Sequence, residues 1–302
     1  MAGIIDEIKE SFKKGNMLTK LIYINVGVFL LIWLVFVAIM LGSSNEQEAN
    51  YRFWTYVINN LAIPSNPELL LQKPWTVITS IFTHYDFFHF LFNLLWLYWF
   101  SKMLIVYIGG RQLLGLYLLG GIFGSLLYVA SFNSFPIFEK YAMGSALGAS
   151  GAIYAIVVAT AVLIPNQQLF LLFLGPVKIK YIALVSVILG TLVDFNSNTG
   201  GKIAHLGGAI VGYVYMIQYK KGKDITFGLG NFVGNFNKLI KRRKRKKMKV
   251  TYKAPTNDFD YNLMKAEKQK KMDVILDKIS QSGYDTLSKE EKEFLFNMSN
   301  RN

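Results

Sequence analysis

The chain contains only three imidazoles, His84, His89 and His205. His89 and His205 lie inside apolar runs, where an ionisable side chain is costly and marks either function or a polar helix–helix contact. Ser150 stands in Gly148-Ala149-Ser150-Gly151-Ala152-Ile153-Tyr154, where glycine permits tight turns and close approach of a second chain. A serine within reach of an imidazole has the parts for nucleophilic acyl transfer: the ring takes the hydroxyl proton and returns it to a leaving amine. His89 and Asn93, four residues apart, share a helical face, and both can donate hydrogen bonds to a developing oxyanion. The plainer reading is a polar tie between helices with incidental glycine packing. The tetrapeptide around Ser150 is not the G-x-S-x-G elbow, because position 152 is alanine and no strand–helix alternation surrounds it.

Spacing supplies a reason for the serine and the histidine to meet. Ala204, Gly208 and Gly212 recur every four residues, as do Gly151, Ala155 and Ala159. Two such small-residue faces let helix backbones approach closely in lipid. Ser150 precedes the first residue of one face and His205 follows the first residue of the other, so packing the faces together brings hydroxyl and imidazole near each other.

The elements that carry these residues are membrane helices. Charged residues make up 17% of the chain, below the roughly one quarter usual in soluble domains, and the apolar residues cluster into long runs. Segments 18–41, 87–108, 112–132, 150–164, 169–195 and 203–219 are long enough, or nearly so, to cross a hydrocarbon core about 30 Å thick. The expectation is an all-α, polytopic bundle of six transmembrane helices with a cytosolic helical tail. In the fifth run, Pro176, Lys178 and Lys180 interrupt the apolar sequence, so a partly interfacial segment is the alternative there. Lysines before the first span and after the last, with Lys102, Arg111, Lys178 and Lys180 in the even connections, place both termini in the cytoplasm by the positive-inside rule. The first residues, MAGIIDEIKESFKKGNM, lack a small-residue cleavage site after a short apolar core, so no removed signal peptide is expected.

The fourth span is short. From Ser150 to Ile164, just before Pro165, a helix is roughly 22 Å long, less than the core. With its lower end at the cytoplasmic boundary, Ser150 lies below the outer surface. Residues 144–149 must then descend as non-helical backbone, which survives at that depth only when covered by protein or lining a wet cavity. Such a cavity is what hydrolysis inside a membrane requires. Residues 43–76 form a long outer connection whose rings, Tyr51, Phe53, Trp54, Tyr56 and Trp75, suit the headgroup level.

Taken together, His89-Phe-Leu-Phe-Asn93, Gly148-Ala-Ser150-Gly151 with Tyr154, and Ala204-His205-Leu-Gly-Gly208 followed by Gly212 resemble the three signature motifs of rhomboid intramembrane serine proteases. They come in the family's order on its second, fourth and sixth helices, and the resemblance covers roughly residues 18–219. It implies that Ser150 is the nucleophile and His205 the base of a dyad. His89, Asn93 and the Ser150 N–H would line the oxyanion hole, and Tyr154 would pack on the His205 ring. Gly148, Gly151 and Gly208 are supporting positions, and His84 matches a histidine with a structural role. Asp194 matches an acidic position near the gate helix. Many members have Trp-Arg in the outer loop; here the pair is Trp75-Thr76, so the contact made by that arginine is missing or replaced. The implied function is cleavage of single-span membrane proteins near the outer face of a bacterial plasma membrane, with neither metal nor cofactor. The rival is a non-proteolytic rhomboid-like protein that binds membrane clients.

Other classes fit poorly. The absence of cysteine excludes thiolate catalysis and cysteine-based zinc sites. No H-E-x-x-H occurs, no second intramembrane aspartate pairs with Asp194, and no repeat symmetry suggests a transporter. Of the net charge of +14, residues 220–302 supply +11, from 21 basic and 10 acidic residues. Nine Lys/Arg and no acid fall in 238–249, next to a helix end, which suits anionic lipid headgroups and makes a nucleic-acid partner the weaker reading. The expected organisation is an N-terminus over 1–17, a transmembrane protease domain over 18–219, a polybasic linker over 220–261 and a two-helix module over 262–302. Gly283 breaks the first helix of that module and Ser288 caps the second. An oligomerisation or docking role is a guess for the module, whose role the sequence does not tell.

Overall fold

A computed structural model describes residues 3–141, 144–171, 174–193, 198–228 and 258–299. The chain forms two units, Met1–Ile240 and Lys241–Asn302. Asp194 and the polybasic run 238–249 lie outside the described residues.

In the first unit, α1 (Ile4–Lys14) leads into α2 (Met17–Leu41). Asn16 caps α2, its Oδ1 accepting from Thr19 N at 3.0 Å. On α1, Ile8 and Phe12 share one face at i, i+4 and charged residues fill the other, the pattern of a helix lying in an interface. There follow α3 (Phe87–Ile108), α4 (Gly110–Ser134), α5 (Ser150–Leu163), α6 (Ile179–Thr191) and α7 (Thr199–Lys220). Among the described residues, α2, α3 and α4 are long and apolar enough to cross a membrane; α5 and α6 are shorter apolar helices. The chain is an all-α polytopic membrane protein, with two small antiparallel strand pairs as its only sheet among the described residues.

The helices bury themselves unequally. On α2 only Leu18, Leu21, Asn25, Phe29 and Ile32 are buried, and Leu34 and Leu41 face outward. On α5, Gly151 through Ile153, Ala155 through Val157, Ala159 and Thr160 are all buried. Wrapped by α3, α4, α6 and α7, α5 does not need to reach lipid at both ends. Its 14 residues span about 21 Å. Its small side chains let α7 come in on one side and α4 on another. A methyl on Gly208 or Gly212 would overlap the carbonyl oxygens of Gly151 and Ala155, and one on Gly124 would meet the Ala204 carbonyl oxygen at 2.5 Å. In lipid, close packing of this kind takes the place of a hydrophobic driving force between helices.

The run 169–195 is not one helix. Residues Gln168–Leu171 (β3) and Gly175–Lys178 (β4) pair antiparallel, with Leu169 opposite Val177 and Leu171 opposite Gly175, and α6 starts only at Ile179. Pro176 cannot sit in a helix interior. Gly175, at φ +70°, takes the left-handed conformation that the reversal needs. The side chains along β3 alternate, with Gln168 and Phe170 exposed and Leu169 and Leu171 partly covered.

The outer connection folds into short helical turns, Glu46–Arg52, a π-helical turn Phe53–Ile58 and Pro67–Gln72. Phe53 turns inward against Phe36, with ring centroids 4.8 Å apart, while Tyr51, Trp54, Tyr56 and Trp75 stay exposed. Three side chains tie the connection to itself without an arginine at position 76. Trp75 Nε1 donates to Asn60 O at 2.9 Å, Lys73 Nζ to Asn59 O at 3.1 Å, and Thr79 Oγ1 to Leu61 O at 2.8 Å. Thr76 itself is fully buried, its hydroxyl donating to Lys73 O at 2.7 Å.

The second unit holds α8 (Asp258–Ser282) and α9 (Lys289–Ser299), separated by Gly283 at φ +80°. Ser288 and Glu291 form a reciprocal cap: Ser288 N donates to Glu291 Oε2 at 2.7 Å, and Glu291 N to Ser288 Oγ at 3.2 Å. Lys278 of α8 also pairs with Glu291, at 2.9 Å.

Candidate active site

Ser150 is the first residue of α5, where helix geometry leaves backbone N–H groups without an intrahelical acceptor. The segment leading to it is non-helical, and several of its backbone groups pair with residues between Ile63 and His84. Ile63–Pro64 (β1) pairs with Ser145–Ala146 (β2), and Ser65 N donates to Gly144 O at 2.9 Å. Further along, Gly148 N donates to Ser80 O at 2.8 Å and Ala149 N to His84 Nε2 at 3.1 Å. Backbone away from water needs such partners. Gly148 is at φ +116°, and a side chain there would also come within 2.9 Å of His89 Cε1. Both conditions exclude residues larger than glycine.

His205 lies in the second turn of α7. Its Nε2 is 2.7 Å from Ser150 Oγ, and its Nδ1 is 2.9 Å from Gly190 O on α6. A carbonyl oxygen only accepts, so Nδ1 carries the proton and Nε2 presents a lone pair to the serine hydroxyl. The Tyr154 ring stacks on the imidazole with centroids 4.4 Å apart and planes 12° apart, and Tyr154 Oη donates to Ser186 O at 2.9 Å. Among the described residues the group orienting the imidazole is thus a backbone carbonyl rather than a carboxylate.

The other two histidines gather across from this pair. His84 Nε2 receives the Ala149 N–H and lies 3.0 Å from Asn93 Nδ2, while its Nδ1 is 3.3 Å from Phe82 O. The tautomer follows: Nδ1–H donates to Phe82, and Nε2 accepts from both Asn93 and Ala149. One neutral ring therefore holds the Asn93 amide and the loop before Ser150 in register. His89 lies beside it, ring centroids 5.3 Å apart, against Gly148. Asp86 caps α3, its carboxylate accepting from His89 N at 2.6 Å.

The structure thus brings Ser150, His205 and Tyr154 into direct contact, sets His89, Asn93 and Gly148 around His84, and packs Gly208 on Gly151. Two contributors had no side-chain signature of their own. The Gly190 carbonyl is backbone. The face of α4 that closes on α5 and α7 carries Gly120 and Gly124, whose i, i+4 spacing was the available signal. No group of three or more His, Cys, Asp or Glu side chains able to hold a metal occurs among the described residues.

Fold and site define a polytopic membrane protein with a serine–imidazole pair set below one end of a helical bundle. Residues 71–221 match the family model for the rhomboid domain, and residues 256–301 match that of a family of unknown function (DUF6576). Similar proteins include RHOMBOID-like protein 12, mitochondrial, of Arabidopsis thaliana, 31% identical over 67% of this chain and 58% of its own length. Rhomboid protein 1, mitochondrial, of Saccharomyces cerevisiae is 30% identical over 49% of this chain and 44% of its own. Presenilin-associated rhomboid-like protein A, mitochondrial, of Danio rerio is 31% identical over 46% and 36%. The chain belongs to the rhomboid family of intramembrane proteases. It spans less than two thirds of the length of these relatives.

Proposed function

We propose that the chain is an active intramembrane serine endopeptidase that cuts single-span membrane proteins near their outer membrane boundary. The observation that supports this most directly is the 2.7 Å approach of His205 Nε2 to Ser150 Oγ, with the opposite ring nitrogen tied to Gly190 O. Ser150 Oγ attacks the scissile carbonyl carbon while its proton passes to His205 Nε2. The tetrahedral oxyanion takes hydrogen bonds from the Ser150 N–H, His89 and Asn93. Collapse expels the amine, which takes the proton from His205, and leaves an acyl ester on Ser150. Water then attacks the ester and gives its proton to the same nitrogen, which returns it to the departing Ser150 Oγ as the acid is released.

The same reading includes the organisation of the chain. Residues 18–219 are the protease domain, preceded by 1–17, and 220–261 link it to a module over 262–302 that serves docking or oligomerisation. Both termini face the cytoplasm of a bacterial plasma membrane, and 238–249 engages anionic lipid. Basic flanks at both ends of the bundle favour that orientation.

A fluorophosphonate probe and a generic single-span substrate test the proposal. Wild type labels and cleaves, and Ser150→Ala does neither. A chain that is folded yet neither labels nor cleaves would leave the family's client-binding behaviour as the better account.

A further inference from the structure

An apolar groove of 460 Å³ runs between α6 and α7 with α5 as its floor. Val158 and Ala161 line the floor, Leu184 and Val187 one wall, and Ile210 and Tyr213 the other. Leu184, Ile210 and Tyr213 are exposed, so the groove opens sideways, toward lipid in a bundle of this class. Its size is that of a small-ligand site and suits a single fatty-acyl chain.

Its two ends differ. One approaches the serine–imidazole pair: Val158 is one turn below Tyr154, Ala209 one turn below His205, and Val187 follows Ser186, which receives the Tyr154 hydroxyl. The other end is cationic. Lys180, in the first turn of α6, lines the rim with its ammonium 5.1 Å from the centroid of the Tyr181 ring. Lys220 reaches the same end, donating to the carbonyl oxygen of Val162, itself a lining residue, at 2.6 Å. Among the described residues no carboxylate lies at ion-pair distance from either ammonium. An apolar trough with two ammonium groups at one end only has the charge layout of a phospholipid with a net negative headgroup. Basic pockets between membrane helices select such headgroups, whereas a choline headgroup would bring its own cation to the two lysines.

We propose that this groove is a specific site for one anionic phospholipid, its acyl chain against Ala161 and Val187 and its phosphate at Lys180 and Lys220. The site uses none of the residues of the polybasic run 238–249 and does not depend on catalysis. An occupied groove backs α6 from the lipid side, at the turn that holds Tyr154.

Native mass spectrometry of the full chain in detergent tests the site, titrating phosphatidylglycerol against phosphatidylcholine with identical acyl chains. Wild type should retain one phosphatidylglycerol about tenfold more tightly than phosphatidylcholine, and inorganic phosphate alone should not displace it. Ala161→Phe fills the trough and leaves every charge in place; it should weaken the first phosphatidylglycerol at least tenfold. Lys180→Gln should lower phosphatidylglycerol affinity about fivefold and leave phosphatidylcholine unchanged, as expected for loss of one basic residue near the surface. Equal retention of the two lipids overturns the proposal. So does undiminished phosphatidylglycerol binding by Ala161→Phe with an unshifted thermal transition, because the lipid would then be elsewhere on the chain. A dimer peak that Ala161→Phe removes would assign the groove to a second copy. If Ala161→Phe does not fold, the Lys180→Gln comparison decides by itself.

Discussion

The carbonyl oxygen of Gly190 accepts from His205 Nδ1 at 2.9 Å, and the same glycine faces the ring of Tyr154 so closely that a methyl on it would overlap the phenol oxygen and lie 2.7 Å from Cζ. One glycine of α6 therefore sets both the tautomer of the imidazole and the spacing between α6 and the aromatic ring stacked on it. A backbone carbonyl takes over the orienting part of what a carboxylate does in a triad, without that group's buried charge.

Gly190→Ala tests that arrangement. The new methyl pushes α6 from Tyr154 and lengthens the bond to His205. With the reacting groups misplaced by a fraction of an ångström to an ångström, kcat should fall by about 10²-fold while KM changes little. Tyr154→Phe removes the atom that the methyl overlaps most, so the double variant should recover part of the loss relative to Gly190→Ala. Steady-state cleavage of a single-span substrate by the four chains measures this coupling. Additive losses would mean that the two residues do not act through each other.

Gly208→Ala and Gly212→Ala should damage folding more than chemistry. Their methyls overlap backbone oxygens of Gly151 and Ala155, which cannot rotate away. Overpacking of this severity costs about 3 kcal/mol. Gly27→Ala is the matched control on α2, since a methyl there meets nothing within 4 Å; it should be neutral or stabilise by up to about 1 kcal/mol through helix propensity. Thermal unfolding in detergent compares the three. Equal shifts would remove close packing as the basis of the α5–α7 contact.

What could be read from the chain alone follows from which interactions are local. The residues of α2, α3 and α4 announce themselves by length and apolarity, and Gly151, Ala155, Gly208 and Gly212 do so by spacing, because one helix displays each pattern without help from another. The hairpin at 168–178 did not, since Gln168 to Leu174 has the apolarity of a membrane helix and only Pro176 with Gly175 speaks against it. The partners of His84 were hidden for another reason. An acceptor shared by Asn93 and Ala149 joins positions 56 residues apart in sequence, and the loop's need for it exists only once that loop descends beside the bundle. The Gly190 carbonyl carries no side-chain identity at all.

His84 should prove a positioning residue. Its Nε2 must stay unprotonated to accept from both Asn93 and Ala149. His84→Ala leaves the Ala149 N–H, on a residue 1% exposed, without its acceptor, at a cost of about 1–3 kcal/mol. It also frees the Asn93 amide. His84→Gln can offer one amide oxygen to the same donors, so it should retain more stability and a faster rate of fluorophosphonate labelling than His84→Ala. If the two variants match in both readouts, the ring's size rather than its acceptor atom is what matters.

The cap joining Ser288 and Glu291 gives the second unit an acid sensitivity of known sign. The Ser288 N–H, and after it Lys278, stabilise the ionised Glu291 and hold its carboxyl below the usual carboxylate value. A depressed folded pKa means that the cap's contribution is fully present above the ordinary glutamate pKa and disappears as pH falls through the lower folded value. Hydrogen exchange of the full chain, corrected for intrinsic rates, should therefore show the first turn of α9 protected at pH 7 and opening progressively below pH ~4, where free carboxyls protonate. Glu291→Gln should lose the pairing with Lys278 and flatten this dependence while keeping part of the cap through its amide oxygen. Ser288→Ala should remove the hydroxyl acceptor of Glu291 N at every pH. If wild type and Glu291→Gln show the same pH dependence, the titrating group lies elsewhere in the module.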